Sequence, residues 1–243
     1  ARAVDAITRQ YDHALLRPAR PWLIPRTWLW RLGMAADRAS KSARLDFAPV
    51  PVISVGNLAM GGTGKTPLVI WIAREAQKHG LLPAVLLRGY RRRDTKPLAL
   101  LPGDSAPVES TGEEAQLILR SGAAAVGVAA RRLDAFAALA ARRRPDLLLL
   151  DDGFQHWRMR REFDIVLIDT LDPFRGGVFP RGRLREDFPA LRRADLIVLT
   201  RARANRLYPT LIAEIRRWNP RAPIARARLI ARVPGLPAGA RIG

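Results

Sequence analysis

The 243-residue chain carries 42 Lys and Arg against 22 Asp and Glu, for a formal net charge of +20, and 48% of its residues are hydrophobic. That apolar share excludes wholesale disorder, and the absence of cysteine excludes disulfides and thiolate zinc sites. His13, His79 and His156 are too scattered for a three-histidine metal site, no signal-peptide order is legible, and no run reaches the roughly 18 apolar residues of a spanning helix.

The positive surplus suits a polyanion, whether nucleic acid, anionic lipid or a phosphorylated substrate. All the basic residues except Lys41, Lys65, Lys78 and Lys96 are arginine, a bias that coding preference alone also produces. Charge by itself therefore selects no partner. No helix-turn-helix pattern or aromatic stacking series is present, so nucleic acid is not an expected partner.

Residues 1–49 stand apart. In "RPARPWLIPRTWLWRLGMAADRASKSAR", Trp22, Trp28 and Trp30 are interleaved with Arg17, Arg20, Arg26 and Arg31, and residues 1–49 hold nine basic and four acidic side chains. Such a mixture suits an amphipathic membrane-interface segment, with indoles at the headgroup boundary and guanidinium groups on lipid phosphates. The alternative is a helix docked on its own domain with its tryptophans in the core. Pro18, Pro21 and Pro25 argue against a long packing helix here.

From Val50 a β–α alternation begins. "VPVISVGN" reads as a buried strand, "KTPLVIWIAREAQKHG" as a helix ending at Gly80, and "PAVLLRG" as the next strand. A polar loop from Tyr90 to Thr111 follows. "GEEAQLILRS" reads as a helix, "AAVGVA" as a strand, "RRLDAFAALAARRR" as a helix and "DLLLLDDG" as another buried strand. "FDIVLID" and "ADLIVLTR" are two more strands, separated by a loop holding Gly176, Gly177 and Gly182. "NRLYPTLIAEIRRWNP" is a helix and "PIARARLIAR" a last strand. Doubly buried strands alternating with helices predict an α/β fold of the P-loop NTPase kind, a mostly parallel sheet with helices on both faces. The predicted core spans 50–232. Residues 233–243 read as the start of a connection, not an ending.

The first strand leads into "AMGGTGKT", residues 59–66. It matches the phosphate-loop pattern GxxxxGK[ST] except that Ala59 replaces the first glycine. Small residues let the N–H groups of Ala59, Met60, Gly61, Gly62, Thr63 and Gly64 converge on phosphate oxygens at a helix N-terminus. Lys65 would reach the β- and γ-phosphates and Thr66 would hold Mg²⁺. In "LLLLDDG" a buried strand delivers Asp151 and Asp152, adjacent carboxylates whose repulsion a dication relieves. Asp-Asp-Gly is also ordinary turn chemistry. No lysine has an aspartate two residues on, as guanine-reading loops do, so ATP is the expected nucleotide.

"GNLAMGGTGKTP", "LLRGYRR", "DDGFQHWRMRRE" and "GRLREDFPALRRADLIVLTR" together resemble the tetraacyldisaccharide 4′-kinases, from about residue 20 to the end of the chain. Glu162 stands where an aspartate is common in the family. The resemblance implies transfer of the γ-phosphate of MgATP to the 4′-hydroxyl of a lipid disaccharide 1-phosphate. It implies an anionic membrane surface as partner, at the cytoplasmic face of the inner membrane. Carried over, it places Lys65 and Thr66 on ATP and Mg²⁺ and Asp151 and Asp152 at the metal. Gln155 and His156 would line the site, with Arg88 and Tyr90 near the transferred phosphate and the sugar. Arg132 would stabilise the moving phosphoryl group, and Arg185 and Glu186 match further functional positions. Glu113 stands in "GEEA" where the family's "GDEP" has its aspartate base. Two rivals remain: a nucleotide-gated P-loop switch without a small-molecule acceptor, and a nucleic-acid-dependent ATPase.

Overall fold

The structure, a computed structural model, describes residues 23–89, 96–203 and 205–229. Tyr90, Trp22 and the readings made on residues 1–22 and 230–243 lie outside the described residues.

Strands β1 (Val52–Asn57), β2 (Pro83–Leu87), β3 (Leu98–Leu100), β4 (Ala125–Val128), β5 (Leu147–Asp151), β6 (Phe163–Asp169), β7 (Leu196–Thr200) and β8 (Ile224–Arg226) form one sheet. Its order is β3-β4-β2-β5-β1-β6-β7-β8. Every pairing is parallel except that of β3 with β4. Parallel strands need crossovers, and those crossovers are the helices that cover both faces.

The period-2 alternation of the strands sorts the core. Leu147 and Leu149 of β5 and Ile165 and Leu167 of β6 point to the face packed by Val69, Ala73, Ala115 and Ile118. These come from α2 (Lys65–Lys78) and α4 (Glu113–Ser121), the latter following the single-turn α3 (Val108–Thr111). Leu148 and Leu150 point the other way, onto Ala135 and Leu139 of α5 (Arg132–Arg142). On that same face Val166, Ile168, Ile197 and Leu199 meet Leu211 and Ile215 of α6 (Pro209–Trp218) and a 3₁₀ segment, Phe188–Arg193. The sheet and its two helical layers are those of a P-loop NTPase.

The loop expected from Tyr90 to Thr111 contains two elements, β3 and α3. Among the described residues of that stretch only "LAL" pairs, antiparallel at the sheet edge, a run too short for its period to register. The helix expected to open near Asn205 begins at Pro209, and the last strand is confined to Ile224–Arg226.

Before the sheet, α1 (Ile24–Ser42) runs for 19 residues, longer than the prolines had suggested. Pro25 sits in its first turn, where the missing N–H costs nothing, so it starts the helix and does not break it. The helix is half docked. Trp30 Nε1 donates to the carbonyl of Arg185 at 2.9 Å and its ring meets Phe179 edge-on at 4.9 Å. Trp28, Leu29 and Leu32 are 60%, 68% and 62% exposed. Trp30 is thus docked on its own domain, while Trp28 is exposed. The chain before residue 50 is also tied to the core at Asp46, which bridges Met159 and pairs with Arg131 and Arg158.

Candidate active site

The site forms where β1 and β5, adjacent at the centre of the sheet, end side by side. In an open parallel sheet the carboxyl ends of the strands are where ligands bind. Past Asn57 the chain turns through residues 58–64 into α2. Asn57 braces that turn, its Nδ2 donating to Thr63 Oγ1 at 2.8 Å. Gly61 and Gly64 take φ values of +104° and +87°, open to glycine and strained for other residues. Ala59, by contrast, lies in a β-bridge with Leu184, an ordinary extended position for which no glycine is required.

That bridge explains how Arg185 arrives. Met60 N donates to Arg183 O and Arg185 N to Leu58 O, both at 2.7 Å, so residues 183–185 run beside the phosphate loop. From there Arg185 Nη1 reaches Asp152 Oδ2 at 2.7 Å and Gln155 Oε1 at 3.3 Å. Lys65 Nζ faces the other oxygen of Asp152 at 3.4 Å. Asp152 itself adopts φ +55°, a left-handed conformation that aspartate tolerates better than most residues. Burial acts upward on its carboxyl, but the charges of Lys65 and Arg185 outweigh burial and hold it below the usual range.

Asp151 behaves differently. Burial pushes its carboxyl up to about 6, against the Thr66 hydrogen bond and with help from the charge of Glu114. Thr66 Oγ1 donates to its Oδ2 at 2.8 Å, while the buried Oδ1 has no partner among the described residues. A hydroxyl, a carboxylate with one free buried oxygen and a second carboxylate beside it suit a hard dication. No group of three or more His, Asp or Glu side chains able to hold a metal occurs among the described residues. An ion here would complete its shell with phosphate oxygens and water.

Arg132 opens α5 and is only 5% exposed. Burial brings its guanidinium down to about 10, the charge of Arg88 adds to that, and Asp152 and Asp151 act against it. Its Nη1 donates to Ala129 O at 3.3 Å, and its buried Nε lacks a partner among the described residues. Arg88 is exposed at the end of β2. Two guanidinium groups repelling one another beside a carboxylate pair leave a place suited to a multiply charged anion.

The neighbouring polar groups form one chain. Gln155 Nε2 donates to Asn57 O at 3.0 Å and to Glu186 Oε1 at 2.9 Å. Glu186 in turn takes a two-pronged hydrogen bond from Arg193, at 3.0 and 3.1 Å. Arg193 lies against the rings of Phe154 and Trp157. His156 is held down to about 4 by burial and by the charges of Arg132, Arg161 and Lys41. It is therefore neutral near pH 7.

Glu113 is brought to the N-terminus of α4 but is exposed. The charge that reaches Asp151 and Arg132 is that of Glu114, next along. Glu114 and Arg193 were not singled out in the sequence. "GEEA" pointed to Glu113 alone, by its match to the aspartate of "GDEP", and Arg193 is one arginine among many.

Residues 19–233 match the family model described as tetraacyldisaccharide-1-P 4′-kinase. The tetraacyldisaccharide 4′-kinase of Hamiltonella defensa is 36% identical over 188 residues, covering 76% of this chain and 57% of that protein. That of Syntrophobacter fumaroxidans is 39% identical over 215 residues, 84% of this chain and 54% of that protein. The crystal structure of LpxK from Aquifex aeolicus in complex with ATP superimposes with a TM-score of 0.68 at 31% identity, covering 78% of this chain and 61% of that one. The chain spans about half the length of the curated relatives it matches.

Proposed function

The chain belongs to the tetraacyldisaccharide-1-P 4′-kinase family, and from that premise we propose that it transfers the γ-phosphate of MgATP to the 4′-hydroxyl of a tetraacyldisaccharide 1-phosphate in lipid A biosynthesis. The observation that carries this reading is the meeting of a phosphate loop with the Thr66–Asp151 pair, in which the second oxygen of the buried carboxylate has no partner among the described residues.

In this reading the acceptor oxygen attacks the γ-phosphorus as the bond to the ADP oxygen breaks, and its proton passes to a carboxylate. Lys65 and the loop N–H groups from Ala59 to Gly64 hold the phosphates, and Arg132 and Arg88 meet charge on the phosphoryl group in flight. Thr66, Asp151 and Asp152 would hold magnesium, which when bound neutralises the phosphate oxygens. Gln155, His156, Arg185 and Glu186 form the acceptor side, to which the family resemblance adds Tyr90. His156, neutral near pH 7, has both donor and acceptor capacity for sugar hydroxyls. Glu113, exposed in the first turn of α4, is the base by family resemblance, while Glu114 sets the field on Asp151 and Arg132.

The acceptor is a lipid, and α1 suits its surface. Its exposed Trp28, Leu29 and Leu32 lie among Arg26, Arg31 and Lys41, the mixture that binds an anionic bilayer peripherally, here at the cytoplasmic face of the inner membrane. No helix among the described residues is long and apolar enough to cross a membrane.

The test is transfer of labelled γ-phosphate to tetraacyldisaccharide 1-phosphate in detergent micelles. This chain is run beside one extended to the full length of its relatives. Label on the lipid supports the kinase. Free labelled phosphate from both chains, with none on lipid, overturns it in favour of a nucleotide switch.

A further inference from the structure

A cleft of about 550 Å³ lies between α1 and the 3₁₀ segment, within the usual range for a small-molecule site. It shares Arg185 and Glu186 with the site above, so whatever fills it also borders the Asp152 carboxylate. Its charges do not balance internally. Asp187 is satisfied by Arg31 at 2.7 Å, and Glu186 by the two-pronged bond from Arg193. Arg185 is committed to Asp152.

Arg38 and Arg192 remain, lining the same cleft with no carboxylate partner among the described residues. Each is held by stacking. Arg38 lies over Trp157 at 4.9 Å and Arg192 over Trp218 at 5.1 Å, contacts that orient a planar guanidinium without neutralising it. The charge of Arg38 also bears unfavourably on Arg193, whose guanidinium burial already disfavours. Two guanidinium groups without a carboxylate partner, lining one open volume, suit an anion as ligand.

We propose that this cleft holds the sugar-borne phosphate of the acceptor lipid, and that Arg38 and Arg192 are the residues that bind it. The assignment rests on the kinase reading, and it makes the 1-phosphate a specificity element. The acceptor hydroxyl lies at the Arg185 end of the cleft. The phosphate lies between Arg38, on the helix that also carries the exposed Trp28, Leu29 and Leu32, and Arg192 of the 3₁₀ segment.

The experiment compares two acceptors in micelles, the tetraacyldisaccharide 1-phosphate and the same lipid without its phosphate. The proteins are the full chain and its Arg38→Gln, Arg192→Gln and double variants. Charge-dependent recognition predicts that each single change lowers the preference in kcat/KM for the phosphorylated acceptor about tenfold, the KM for ATP being unmoved, with Arg38→Lys restoring part of it. Equal effects on both acceptors, or none on either, overturn the proposal.

Equilibrium binding without nucleotide separates this inference from the kinase reading. Micelles bearing the lipid 1-phosphate should bind wild type at least tenfold more tightly than micelles of the dephosphorylated lipid, and the double variant should lose that difference. That result supports the cleft even if no label is ever transferred. Identical binding of both micelles by wild type overturns it, as does abolition of the difference by inorganic phosphate at sub-millimolar concentration, which would mark a site for free phosphate.

Discussion

Thr66, in the first turn of α2, donates its hydroxyl to Oδ2 of Asp151, at the end of β5, across 2.8 Å. The bond joins the start of α2 to the carboxylate that would hold the metal, at the cost of burying a charge. Because the carboxyl of Asp151 is raised to about 6, its ionised form destabilises the fold above that pH. Asp151→Asn should therefore raise thermal stability at pH 8, by about 1–3 kcal/mol. It should also cut phosphoryl transfer by about a hundredfold or more. Calorimetry and the labelled-phosphate assay check the two halves, and a variant that loses both stability and activity would contradict the argument.

Lys65→Ala should abolish transfer and leave the fold intact. Asp152 keeps its 2.7 Å partner Arg185 when the lysine is removed, so no carboxylate is stranded. Circular dichroism should be unchanged, and retained activity would sink the nucleotide-site assignment.

The two adjacent glutamates separate by measurement. Glu113→Gln should lower kcat by two or more orders of magnitude with little effect on ATP affinity, since a base acts on the proton and not on the nucleotide. Glu114→Gln should instead lower the carboxyl pKa of Asp151, with a smaller loss of rate. An inverted pattern would make Glu114 the base.

His156 supplies a pH signature. Its folded pKa of about 4 lies below the ordinary 6.5, so the unfolded chain binds the extra proton between those values. Stability contributed by the neutral ring is complete above pH 6.5 and is lost as pH falls toward 4, by up to about 3 kcal/mol. Asp151 acts in the opposite direction over part of this window, so the readout is the difference between wild type and His156→Gln. Denaturant unfolding of both proteins from pH 7.5 to 4.5 should show that difference closing as pH falls. A constant difference would mean that the ring is not buried neutral.

Gly182→Ala should be among the more damaging single-methyl changes. A Cβ there would run into Gly176 C, Gly177 O and Arg175 O, all backbone. The segment that carries Leu184 to its bridge with Ala59, and Arg185 to Asp152, would have to move. Expected are a loss of about 2–4 kcal/mol and a fall in kcat, read by denaturant melts and the transfer assay. Wild-type behaviour would show that the loop relaxes freely.

The alternation of apolar runs placed β1, β2 and β4 to β7 and the helices between them, because doubly buried strands are continuous in sequence. "GGTGKT" and "LLLLDD" named the strand ends that meet. Arg185 was found through family resemblance, since nothing local shows that Leu184 bridges Ala59. Pro25 begins α1 where the sequence suggests a break, for a different reason. A proline is neutral in the first helical turn and disruptive four residues later, and the sequence does not mark where the turn begins. Glu114 reaches Asp151 through space, a relationship invisible to spacing.

The central position of β1 has a kinetic consequence. Val52 pairs with Leu148 and Ile53 with Phe163, each about a hundred residues farther along the chain. As the chain leaves the ribosome, the strand carrying the phosphate loop has neither neighbour until β5 and then β6 have been made. Nucleotide affinity should therefore arise late in synthesis and in one step, once residue 169 is free to pair. Until then β1 is an unpaired apolar strand, the segment most in need of shelter from other nascent chains.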